Sequence, residues 1–235
     1  MSQHTKTLTT PKSWTTPRKT SHWIVSPRCG PHPIERSIPL LIIVRDLLKY
    51  CDNASEGKRL IGERMFLIDG KVCTDYRRSV GLMDVLSIPK TNEHFRILQD
   101  SRGKLRIVKI NEESSKWKLV RIEDKTMIRK GKTQLHLHDS RNIVLDSDKY
   151  KTGDALKIEL PSQKVIDCYP MSSGNIAMLI GGKHKGELAS IVNYEVTRNP
   201  KPNIVHFEKF STTKNNVFVV GTKTPEITLP EVAIV

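Results

Sequence analysis

Residues 37–88, SIPLLIIVRDLLKYCDNASEGKRLIGERMFLIDGKVCTDYRRSVGLMDVLSI, decide the fold of this chain. Ser37 is placed to cap a helix, Pro39 is tolerated in a first turn, and Leu40, Leu41, Val44, Leu47, Leu48 and Cys51 recur at helical spacing. Ile42 and Ile43 fall outside that stripe, so the helix is apolar around most of its circumference and is expected to be covered on two sides. Asn53 followed three residues later by Glu56 is a capping-box pattern opening a second helix, Ala54 to Ile61, with Gly62 placed to end it. The run Met65 to Ile68 then meets Asp69-Gly70, a pair suited to the positive φ angles of a two-residue hairpin turn, and Val72 starts the return strand. After a loop with Tyr76, Arg77 and Arg78, Val80 to Ile88 reads as a strand closing the sheet. Arg45 and Lys49 share a ridge of the first helix, Lys58 and Arg59 project from the second, and Lys71 sits at the hairpin.

This order of elements resembles the alpha-L RNA-binding motif, in which two helices and a hairpin present a basic groove to folded RNA. The likeness rests on the basic second helix, the IDGKV hairpin and the MDVLSI strand. Where the common motif has Gly before the Asp of the last strand, this chain has Met83.

Upstream, residues 1–38 carry six Lys and Arg against one acid, with Pro11, Pro17, Pro27, Pro31 and Pro33 among them. A segment of that composition does not fold by itself. Trp14, His22, Trp23 and Ile24 make it too aromatic for a solubility tail, so it reads as an arm that orders on a partner. Cations interleaved with aromatic rings suit RNA, through phosphate pairing and stacking on unpaired bases.

His22-Trp23, Gly30-Pro31-His32, Glu35, Arg36, Pro39 and Leu40, together with Val80 to Pro89 and the stretch Gly131 to Val144, resemble the S4e family of small-subunit ribosomal proteins of archaea and eukaryotes. Downstream, Phe95 to Leu98, Leu105 to Ile110, Trp117 to Ile122, Ile143 to Leu145 and Ala155 to Leu160 read as short strands separated by Gly and Asp/Ser turns. From Gly174 to Val220 an apolar strand, Gly181-Gly182, the basic loop Lys183-His184-Lys185, Gly186 and further strands look like the KOW motif of small SH3-like barrels. Glycines there allow tight turns and close approach of a ligand, with the loop cations placed to meet phosphate. The spacing Gly181 to Gly186 is not a phosphate-binding loop, because Glu187 and Leu188 stand where Lys and Ser or Thr are required. Phe218 to Gly221 supplies the last strand, and the tail from Lys223 includes a family-like ITLP.

The expected fold is therefore α+β, multidomain and β-rich. Its expected parts are a basic extended arm (1–38), an alpha-L domain (39–103), a central β domain (104–171), an SH3-like KOW barrel (172–221) and a C-terminal tail (222–235).

The whole chain of 235 residues carries a net charge of +14. A polyanion is the first partner such a balance selects. A membrane surface is the competing polyanion, but the strong helix is apolar rather than basic, no apolar run is long enough to span a bilayer, and the first residues lack a signal peptide's apolar core. Cys29, Cys51, Cys73 and Cys168 form no C-x-x-C pair, so free thiols are expected. His136, His138 and Asp139 place two imidazoles on one strand face, but no third or fourth ligand stands at a recognisable spacing, so no metal is expected.

Acids scattered singly or in pairs such as Glu112-Glu113, no triad motif and no cofactor fingerprint argue against catalysis. No catalytic residue, cofactor, membrane or small-molecule substrate is expected. The family resemblance implies a structural constituent of the small ribosomal subunit, in the cytoplasm, with small-subunit ribosomal RNA and neighbouring ribosomal proteins as partners. An RNA-modifying or RNA-processing factor carrying an appended alpha-L module is the alternative. The residues expected to carry RNA are Lys12, Arg18, Lys19, His22, Trp23, Arg28 and Arg36 in the arm; Arg45, Lys49, Lys58, Arg59, Lys71, Arg77 and Arg78 in the alpha-L groove; and Lys183, His184 and Lys185 in the barrel loop.

Overall fold

The computed structural model describes residues 5–227, so the family-like ITLP lies outside the described residues apart from Ile227. The chain is β-rich with few helices and divides into two compact units. The first comprises residues 1–98, 104–118 and 160–162, and the second residues 99–103, 119–159 and 163–235.

In the first unit a five-stranded sheet runs in the order Lys71–Val72, Leu67–Ile68, Val85–Ile88, Glu93–Gln99 and Leu105–Ile110. Asp69 and Gly70 take φ of 51° and 74°, the left-handed pair that lets the hairpin follow the twist of its strands. The second helix spans Ala54–Gly62, and the Asn53/Glu56 capping box forms as its spacing requires. Gly57 on this helix packs directly against Leu41 and Cys51. A Cβ there would meet Leu41 Cδ1 at 2.5 Å and Cys51 Sγ at 3.0 Å.

Two elements differ from the expectation. The first helix is shorter: Ser37–Pro39 is a strand paired with Ser79–Gly81, the helix proper is Leu40–Ile42, and Ile43–Leu47 widens into a π turn. The Leu48 N–H reaches back to the Ile43 carbonyl at 2.9 Å, five residues away, and Lys49 at φ 56° then turns the chain out of the helix before Cys51. Leu40 to Val44 are all fully buried, so this segment is enclosed on every side rather than on two. The closing strand is also interrupted. Ser79–Gly81 and Val85–Ile88 belong to different sheets, and the break between them is a turn with Met83 at φ 70°.

The segment expected to await a partner packs on its own chain. Trp14 is 2% exposed within the core and its indole N–H donates to the Ile34 carbonyl at 3.3 Å. The Leu105 N–H donates to the Ser13 carbonyl, the Arg28 N–H to the Arg77 carbonyl, and Thr5–Lys6 pairs with Trp23–Ile24.

The second unit holds two five-stranded sheets. One runs Asn142–Leu145, Thr133–Leu137, Trp117–Met127, Ala155–Glu159, Val165–Tyr169, around a core of Val120, Ile122, Leu135, Leu137, Leu156 and Ile158. The other runs Ser211–Thr213, Ile204–Phe207, Leu188–Glu195, Ile176–Leu179, Val217–Gly221. The Arg121 guanidinium ties them together, donating to the carbonyls of Asn215 and Val217 at 2.9 and 2.8 Å. Two glycines of the basic loop, Gly181 and Gly186, lie against the protein's own chain. A Cβ on Gly181 would stand 2.1 Å from Asn216 Oδ1, and one on Gly186 2.3 Å from the Asp100 carbonyl, so each accommodates the protein's own chain.

Candidate nucleic-acid interface

The loop at residues 73–78 gathers a basic cluster from three segments of the first unit. Asp75 organises it: its carboxylate accepts from the Arg77 N–H at 2.9 Å and faces Arg28 Nη1 at 3.5 Å, and its carbonyl accepts from the Arg78 N–H at 3.1 Å. Arg77 Nε donates to the Ser26 carbonyl at 3.0 Å, which fixes the arm against the loop. From the second helix Lys58 places its ammonium 4.7 Å from the Tyr76 ring centroid. Arg28, Lys58, Arg77 and Arg78 are thus held close together by one acid and one aromatic ring, with Arg28, Lys58 and Arg78 exposed. Guanidinium groups in such a cluster can grip phosphate bidentately, whereas the lysine acts as a point charge.

The remaining expected residues divide between exposed cations and groups engaged within the protein. Lys12, Lys19, Lys49 and Lys71 are exposed. Arg59 is exposed and meets Glu63 at 3.1 Å, one turn along its helix. Arg45 is the least available, since its Nε and Nη2 donate to both Asp46 oxygens at 2.7 and 2.9 Å, and that hydrogen bonding raises its pKa further. Arg18 donates to the Pro11 carbonyl at 3.0 Å, and Arg36 is half-buried. Trp23 is 54% exposed, with the His22 ring edge-on at 4.7 Å and Lys6 directly opposite across the ribbon. In the second unit Lys183 and Lys185 are exposed, while the His184 ring stacks on Phe210 at 4.2 Å and its Nδ1 lies 3.0 Å from Glu187.

His136 has both ring nitrogens engaged, Nε2 with Thr126 Oγ1 at 3.0 Å and Nδ1 with Asn142 Oδ1 at 2.9 Å. Nδ1 of His138 accepts the Arg121 N–H at 3.1 Å. Among the described residues no group of three or more His, Cys, Asp or Glu side chains is placed to hold a metal ion.

One polar constellation escaped the sequence reading. Lys118, fully buried, donates to Asp69 Oδ2 at 2.8 Å and Asp84 Oδ1 at 3.0 Å. The other Asp84 oxygen lies 2.9 Å from His32 Nε2 and accepts the Gly81 N–H at 2.9 Å. Asp69 Oδ1 accepts the Val85 N–H at 3.0 Å. This network joins the arm, the hairpin turn and the turn around Met83. His32 carried a signal only as part of the family-like Gly-Pro-His, and Lys118 carried none.

Residues 91–165 match the model of the ribosomal family S4e, and residues 1–35 match the RS4NT (NUC023) domain. The small ribosomal subunit protein eS4 of Methanocaldococcus jannaschii is 43% identical over 240 residues, covering 97% of each chain. That of Methanothermobacter thermautotrophicus is 40% identical over 233 residues, covering 97% of this chain and 96% of its own. The chain belongs to the ribosomal S4e family. Its fold agrees: the crystal structure of the 30S ribosomal protein S4e from Thermoplasma acidophilum superposes with a TM-score of 0.70 at 31% identity, covering 80% of this S4e chain and 96% of the other. Arg28, Lys58, Arg77 and Arg78 are therefore the basic cluster of an S4e protein, and the arm that supplies Arg28 lies within the matched RS4NT domain.

Proposed function

We propose that this chain is a structural constituent of the small ribosomal subunit that binds ribosomal RNA through basic surfaces and supports translation without catalysing a reaction. The observation that carries the reading is the cluster of Arg28, Lys58, Arg77 and Arg78 around Asp75 and Tyr76, set in a chain that resembles eS4 proteins along nearly its whole length. The partners are small-subunit ribosomal RNA and neighbouring small-subunit proteins, and the site of action is the cytoplasm. Functionally the chain divides into the arm (1–38), an alpha-L module (39–103), a central β module (104–171), an SH3-like KOW module (172–221) and a tail (222–235). The three folded modules touch RNA with modest charge and the arm with a strong basic excess, and linkage of the contacts raises affinity beyond any one of them. The RNA-binding residues are those expected from the sequence, with the Arg28, Lys58, Arg77 and Arg78 cluster at their centre.

Sucrose-gradient sedimentation of a native lysate tests the assembly role. Comigration with small subunits through moderate salt is expected, and a free species at the top of the gradient would overturn it. Replacing Arg59 and Lys71 with Ala tests the interface: affinity for ribosomal RNA falls and its salt dependence flattens, because fewer counterions are released. An unchanged salt slope would remove both residues from the interface.

A further inference from the structure

The chain leaves the core of the first unit at Trp14 and returns to it at Ile24, and the loop between these anchors forms one wall of a cleft of about 270 Å³. Thr16, Pro17, Thr20 and Ser21 line that wall, and Arg45 and Lys49 from the π turn and its exit line the other. The left-handed φ of 56° at Lys49 ends the turn there and leaves this lysine exposed at the rim. Asp46 holds the Arg45 guanidinium through Nε and Nη2, so this cation is fixed in the wall while Lys49 stays available. Ile24 and Pro17 give the cleft an apolar surface. Thr16 is only 9% exposed, yet its hydroxyl is shielded from water without a hydrogen-bond partner. Leaving a buried hydroxyl unpaired is unfavourable, so a ligand whose entry shifts this wall enough to reach it gains a hydrogen bond.

We infer that this cleft receives a single unpaired nucleotide of the bound RNA, with its base against Pro17 and Ile24, its phosphate on Lys49 and its polar edge on the hydroxyls of Thr16, Thr20 and Ser21. The volume suits one nucleotide rather than several. A continuous duplex offers a convex face of phosphates that cannot enter it, whereas a bulged or looped base can be turned out of the stack. The mix of hydroxyls, one free ammonium and an apolar floor matches a nucleotide's ribose and base edges, phosphate and ring face. This rests on the RNA-binding reading above and adds the kind of RNA feature that is recognised.

The test uses the full chain and two fluorescent RNA hairpins of equal length, one with a single unpaired nucleotide in its stem and one fully paired, compared by anisotropy at one salt concentration. The native protein binds the bulged hairpin roughly tenfold tighter, the return on one or two completed polar contacts. Thr20→Trp, at an exposed position, fills the cleft: it abolishes the preference and keeps the affinity for the paired hairpin. Thr16→Val removes the unpartnered hydroxyl, so it leaves the fold at least as stable while the preference falls several-fold. Equal affinity of the native protein for the two hairpins would overturn the inference and leave the RNA-binding reading standing, as would a preference undiminished in both variants. Binding of neither hairpin at low salt would overturn both.

Discussion

The Lys118 ammonium lies 3.0 Å from Asp84 Oδ1 and is wholly buried, with the aspartate side chain 2% exposed. Asp69, 2.8 Å from the same ammonium, completes a pairing of one buried cation with two carboxylates. Backbone N–H groups of Val85 and Gly81 and the His32 ring take up further carboxylate oxygens. The charges are tolerable in the interior only because nearly every lone pair is used.

Lys118→Met tests this dependence. Removing the cation leaves Asp69 and Asp84 buried without it, and a loss of about 3–5 kcal/mol is expected. Urea titration followed by circular dichroism reads it. Adding Asp69→Asn and Asp84→Asn to Lys118→Met should restore part of the loss, since the stranded charges are then gone. A Lys118→Met midpoint equal to that of the native protein would show that the network contributes nothing.

Acid sensitivity follows from the same group. Burial by itself raises the Asp84 carboxyl, but Lys118, then His32 and the Gly81 N–H, outweigh it and hold its pKa well below the ordinary carboxylate value. A depressed folded-state pKa means that the unfolded chain binds the proton more readily. The stabilisation is therefore complete above about pH 4 and is lost as the pH falls from there through the folded value. Urea midpoints of the native protein should fall on acidification below about pH 4, and those of Asp84→Asn, lower at neutral pH, should fall less steeply. Parallel curves for the two proteins would refute the assignment.

Legibility in the sequence followed the range of the interactions. The Asp69-Gly70 turn and the Asn53/Glu56 cap are settled by residues next to or three apart from each other, and both form as read. The sequence from Leu40 predicts a longer helix than forms, because an almost continuous apolar run carries no periodicity that distinguishes an α turn from a π turn or marks its end. Ser37 joined a strand because Ser79–Gly81, some forty residues away, pairs with it. Lys118 carries no local signal, since its partners are 49 and 34 residues distant. Among the residues expected to bind RNA, charge is legible in the sequence and availability is not: Arg45 is engaged by the neighbouring Asp46, whereas Arg28, Lys58, Arg77 and Arg78 are gathered by Asp75 and Tyr76 through tertiary contacts.

Gly81→Ala probes how the arm is seated. A Cβ at this position would lie 2.3 Å from His32 Cγ, so the imidazole rests directly on the glycine backbone. The added methyl must push the ring away from Asp84, at a cost of about 1–3 kcal/mol. In a His32→Ala background the ring is absent and the same substitution should cost much less. A double-mutant cycle on urea midpoints measures this coupling, and strictly additive losses would contradict the contact.

Met83 occupies a left-handed conformation at φ 70° and is fully buried, two properties that pull a substitution in opposite directions. Met83→Gly relieves backbone strain worth about 1 kcal/mol. It also removes a long apolar side chain from the core, which costs about 2–5 kcal/mol for a buried Met reduced to Ala. Packing outweighs strain, so Met83→Gly should lower the urea midpoint. Met83→Ala keeps the strain and loses the packing, and should lie lower still. The order native, then Met83→Gly, then Met83→Ala is the expected result. If Met83→Gly proved more stable than the native protein, backbone strain rather than burial would govern this turn.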